Sequence, residues 1–152
     1  MREAVNKQFE KRRIALLPQI KEDFTRIQVV NNEMMRKVFE EEVVDFKRIA
    51  DNISEIRKRA NRLKVNLMLP ESDEGENSPK PPSVPNSGQV KDSLTMLDTL
   101  IMGFVRNPLF QQPGVVDAKL SAKAGRDLKT IIEFSGGVRK EVERLSKLVG
   151  RP

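Results

Sequence analysis

The apolar positions of this chain recur at intervals of three and four. From Ile49 they fall at Ile49, Ile53, Ile56, Ala60, Leu63 and Leu67, a heptad seam of the kind that joins helices. Neither Gly nor Pro interrupts residues 44–69. The spacing predicts a helix over 45–68, with Asp45 as its cap or first-turn acid. A second seam, Val90, Leu94, Leu97, Ile101 and Phe104, predicts a helix over 89–106. Ser87 is its candidate cap, Asp92 a first-turn acid, and Asn107-Pro108 its stop. A longer stripe runs through Leu120, Ala124, Leu128, Ile131, Phe134, Val138, Val142, Leu145 and Leu148, predicting a helix from Asp117 to residue 149. Gly136-Gly137 sits inside it, each glycine costing roughly 1 kcal/mol relative to Ala. Whether the helix bends or breaks there stays open.

The first segment reads less simply. Ile20, Phe24, Ile27, Met34 and Val38 suggest a helix over 18–41, with Pro18 suited to its first turn. Upstream, Val5, Phe9 and Leu16 continue the rhythm over 3–16. One helix kinked at Pro18 and two successive helices both fit. The turn into the next helix falls at Glu41 to Val44, without Gly or Pro to assist it. A helix fused through that turn is the competing reading.

These elements predict an all-α fold: an antiparallel four-helix bundle in one domain over 1–152. It consists of a helical hairpin over 3–68, a Pro-rich disordered linker over 69–89 and a second hairpin over 90–149. In an up-down-up-down order, residues 3–16 and 138–149 share one end and would pair as an arm beyond the body. The linker assignment rests on Pro70, Pro79, Pro81, Pro82 and Pro85, and on Ser, Gly and acidic content with few bulky apolar groups. Charge follows the same division, with residues 1–68 at net +5, 69–90 at −3 and 91–152 at +4.

Composition narrows the chemistry. The chain has no Cys and no His, so thiol redox chemistry, disulfides and imidazole catalysis are excluded. Ser93, Ser121, Ser135 and Ser146 have no His to activate them, so a Ser-His-acid triad is excluded too. Gly136-Gly137 lacks the phosphate-loop pattern. No cofactor or metal is expected. Glu40, Glu41, Glu42 and Asp45 read as a solvated turn, and Asp73, Glu74, Glu76 and Asn77 lack the spacing of a calcium loop. No run of 18 apolar residues exists, so no transmembrane helix is expected. If Met1 is the true start, the expected compartment is the cytoplasm. If the true start includes a signal peptide, it is the periplasm.

Four kinds of candidate site remain. Arg57, Lys58, Arg59, Arg62 and Lys64 crowd the second helix, and Lys11, Arg12 and Arg13 form a smaller group. Such cations could bind nucleic acid or another anionic surface, or simply form the wet face of an amphipathic helix. Leu109 and Phe110, between Pro108 and Pro113, could form a docking loop or plug one end of the bundle. Asn31, Asn32, Asn61 and Asn66 sit in helical stretches, where a buried Asn could fix helix register or each could simply be exposed or begin a turn. Arg26, Arg106, Arg126 and Arg139 are what an enzyme working by electrostatics alone would have to use. The leading expectation is a non-enzymatic helical module that self-associates or binds a protein partner. Nucleic-acid binding through the basic helix comes next, and an electrostatic enzyme last.

The segments RIQVVNNEMM (26–35), EIRKRANRLKVNLMLP (55–70) and FVRNPLFQQPGVVDAKLSAKAGRDL (104–128) resemble uncharacterised bacterial proteins predicted to be helical. The resemblance covers most of both helical halves and leaves out the linker. It implies a bacterial source and carries no functional residues with it, since that group has no assigned activity.

Overall fold

A computed structural model describes residues 2–69, 90–111 and 117–149, with side chains described throughout except at 2–10, 12–14, 111 and 149. All its regular elements are helices: α1 (Arg2–Glu40), α2 (Phe46–Leu67), α3 (Val90–Val105), the short α4 (Pro108–Gln111) and α5 (Ala118–Val149). Most of the expected linker lies outside the described residues, as do Ser87, Pro113-Gly114 and the acids Asp73, Glu74 and Glu76.

The ambiguous first segment is one helix of 39 residues, continuous through Pro18. Pro18 is exposed, so its ring clashes with no packed neighbour. It still removes one backbone hydrogen bond, to the carbonyl of Ile14. Pro18→Ala restores that bond and is expected to stabilise α1 locally by up to about 3 kcal/mol. Slower amide hydrogen exchange around residues 14–22 is the expected readout, and unchanged exchange would contradict it.

The fused reading of α1 and α2 fails, because the chain leaves the helix after Glu40 and re-enters it at Phe46. Asp45 makes the restart, its carboxylate accepting from the backbone N–H of Arg48 at 3.2 Å. At the far end of α2, Met68 takes the left-handed conformation (φ 50°) and its N–H closes on the carbonyl of Val65. α5 passes through Gly136-Gly137 without a break. It begins at Asp117, whose carboxylate accepts from the N–H groups of Lys119 and Leu120. The loop after α3 is ordered by Asn107, which is buried. Its side-chain oxygen accepts from Leu109 N–H, and its amide donates to the carbonyl of Leu120, so one residue pins α3, α4 and α5 together.

The seams meet in one core. Ile53, Ile56, Leu63, Leu94, Leu97, Ile101, Phe104, Leu128, Ile131 and Phe134 are almost wholly buried, with Met34 from α1. α1 packs against α2 and α3, and α5 packs against α2, α3 and α4. Residue pairs fix the directions. Gln19 meets Asn66, Asp23 meets Arg62, and Glu41 meets Arg48, so α2 runs antiparallel to α1. Phe24 meets Phe104, Asn31 meets Asp98, and Lys91 lies over Phe39, so α3 also runs antiparallel to α1. α2 and α3 therefore point the same way, which differs from the expected up-down-up-down order. The end of α2 lies level with Gln19 and the start of α3 level with Phe39, about 30 Å apart along α1. The long connection is thus a crossover, and its length, which a hairpin turn would not need, serves that crossing.

This arrangement corrects one expectation. The arm of residues 3–16 on 138–149 does not form, because α1 and α5 run in the same direction on opposite corners. Val138 and Val142 belong instead to the common core. α1 extends past the level of Asn66 for about 24 Å, over residues 2–17.

Candidate functional site

Two members of the basic cluster of α2, Arg59 and Arg62, face α1, and α1 answers them with a carboxylate. Asp23 lies on the inward seam of α1 and is wholly buried. Burying a lone carboxylate is prohibitive unless it is paired and hydrogen-bonded. Here both oxygens are satisfied. Arg62 grips Asp23 with a two-pronged fork, Nε to Oδ2 at 3.0 Å and Nη2 to Oδ1. Arg59 adds Nη1 to Oδ1 at 3.0 Å. The hydrogen bonds that Arg62 donates to Asp23 hold its guanidinium above its ordinary pKa, against a smaller opposing effect of burial. Glu55 extends the network, accepting from Arg26 at 3.2 Å and from Arg59 at 3.4 Å. Glu22 lies 3.7 Å from Arg59.

The third arginine is used differently. Arg57 reaches across to α5, where its Nε donates to the carbonyl of Ile132 at 3.2 Å. Gly136 makes room for it, since a Cβ there would lie 3.0 Å from Arg57 Nη2. The five candidate residues therefore divide. Arg57, Arg59 and Arg62 are tied to groups of the bundle itself, while Lys58 is exposed and Lys64 half-buried. An open depression over this face is lined by Ser54, Glu55, Lys58, Arg59 and Arg62. Its cations stand beside Glu55 and over Asp23, so the field it offers a ligand is far weaker than five cations in sequence suggest.

Asp23 is what sequence reasoning missed. The available signal was an acid on the apolar seam of α1, between Ile20 and Ile27, facing a helix with arginines three residues apart.

The other candidates are placed as follows. Leu109 and Phe110 are half-buried and pack against the core. Phe110 packs tilted against Phe24 and edge-on to Phe104, with ring centroids 5.1 and 4.9 Å away. Asn31 is wholly buried and donates to Asp98 at 2.7 Å. Arg26 is held by Glu55 and Arg139 by Glu143, so each is tied to its own carboxylate. Glu41 and Asp45 serve the turn between α1 and α2. Lys11 is exposed, and the side chains of Arg12 and Arg13 lie outside the described set. Among the described residues no group of acids could hold a metal ion, and no helix is long and apolar enough to cross a membrane. Exposed large apolar side chains are spread over the bundle: Leu17, Val65 and Met68 lie near the level of the Gln19–Asn66 pair, Phe39 and Val43 near the turn from α1 to α2, and Leu148 near the end of α5. Comparison with known protein families, with curated proteins and with solved structures finds no match to this chain.

Proposed function

We propose that the chain is a non-enzymatic helical interaction module whose contact region is the first half of α1 and the foot from which it leaves the bundle. The observation that supports this reading is the register of α1, which runs on for about 24 Å beyond the Gln19–Asn66 pair. A single helix of that length gains little from its own hydrogen bonds and is stabilised mainly by packing against another. At its foot, Leu17, Val65 and Met68 are 41%, 72% and 46% exposed, although each is an apolar side chain of the kind that helices bury against one another. The helix that covers them comes from a second copy of the chain.

The rival reading, nucleic acid on the basic face of α2, is weakened by the internal use of Arg57, Arg59 and Arg62. Counterion release requires cations free to meet phosphates, and these three already have partners.

Light scattering across a concentration series tests the proposal. Assembly larger than a monomer is expected, and Leu17→Glu combined with Val65→Glu is expected to abolish it while helical circular dichroism is retained. A monomer at every concentration would overturn the reading. So would an assembly that the paired substitution leaves intact.

A further inference from the structure

The bundle consists of two hairpins, and each is held by polar contacts of its own. Asp23 with Arg59 and Arg62 closes α1 on α2. Asn107 with Leu120 closes α3 on α5. Among the described residues, two side-chain hydrogen bonds join one hairpin to the other: Asn31 to Asp98 between α1 and α3, and Arg57 to the carbonyl of Ile132 between α2 and α5.

Two such hairpins can pack face to face in two ways. Turning the second by half a revolution about the axis normal to their interface exchanges α3 and α5. Every neighbouring pair stays antiparallel, and the same apolar faces point inward. The turned form is the up-down-up-down bundle that the hydrophobic pattern alone predicts. Apolar stripes discriminate poorly between the two, which is the known weakness of near-symmetric bundles. The connection over 68–89 is long enough for either, at up to about 3.3–3.6 Å per residue.

We infer that Asn31–Asp98 and Arg57 lying over Gly136 select the observed arrangement against the turned one. Both features are locally unfavourable, which is how specificity devices differ from simple stabilisers. Asn31 is wholly buried, and its side-chain oxygen has no hydrogen-bond partner. Gly136 sacrifices helix propensity in mid-helix, and a Cβ there would sit 3.0 Å from Arg57 Nη2, close enough to push the guanidinium aside. In the turned form Asn31 would face α5 with Asp98 carried away to α2, and Arg57 would face α3 and lose the Gly136 notch.

The chain has no cysteine, so two spin labels can be placed without ambiguity. Exposed Glu33 on α1 and exposed Thr95 on α3, each replaced by a labelled Cys, report the α1–α3 distance by pulsed electron resonance. The labelled parent is expected to show a single short distance. Asn31→Leu combined with Arg57→Met is expected to add a second, longer distance, with helical circular dichroism unchanged. Asp98→Asn, which keeps an acceptor for Asn31, is expected to retain the single distance. A double variant that keeps only the short distance would overturn the inference. So would one that unfolds, because the two tethers would then be supports of the fold and not selectors of its arrangement.

Discussion

Asp23→Ala is expected to destabilise the protein by about 3 kcal/mol, a large share of the stability of a domain this size. The cause lies less in the hydrogen bonds removed than in the charges left unpaired. Arg59 and Arg62 converge on a point closed to solvent, since Asp23 itself is wholly buried. Arg59, with 17% of its side chain exposed, has the least recourse to water. Equilibrium urea unfolding reads the destabilisation as a shift of midpoint at constant slope. A value below about 1 kcal/mol would mean that the network behaves as a surface ion pair.

Phe104→Ala is expected to cost about 4 kcal/mol, within the usual range for removing a buried aromatic ring. Phe104 is 1% exposed and is the most deeply buried member of a three-ring group with Phe24 and Phe110. Its centroid lies 6.0 Å from Phe24 of α1 and 4.9 Å from Phe110 of α4. The cavity would open where three elements meet, and Pro108 and the Asn107 pin restrict the loop from collapsing into it. Phe110→Ala is expected to cost less, because that ring is only half-buried. Equal destabilisation at the two positions would show that the rings do not pack as described.

The seams of α2 and α3 were legible because burial repeats with the helical period. Each of Ile49, Ile53, Ile56, Ala60 and Leu63 is buried, as are Leu94, Leu97, Ile101 and Phe104. Asp45 was legible as a cap because a short acid before an apolar run has few other uses. Continuity through Pro18 and through Gly136-Gly137 was not legible. Local propensity argues for interruption at both, and each costs helix stability without ending the helix. Pro18 sits on an exposed face, and a Cβ at Gly136 would crowd Arg57. The order of the helices around the bundle was hidden for a deeper reason. Hydrophobic spacing states which face of a helix is buried and is silent on which neighbour buries it. The candidate site was half legible: the arginines of α2 stand out in sequence, while the acid that neutralises them is 36 residues upstream of Arg59.

The charge of α2 is turned inward onto α1 as part of the bundle, and a double-mutant cycle between Asp23→Ala and Arg59→Ala measures that directly, free of what each substitution does alone. A coupling of about 1–2 kcal/mol is expected, with the double variant more stable than the two single variants together imply. Strictly additive effects, with no coupling, would contradict an inward-facing charge network.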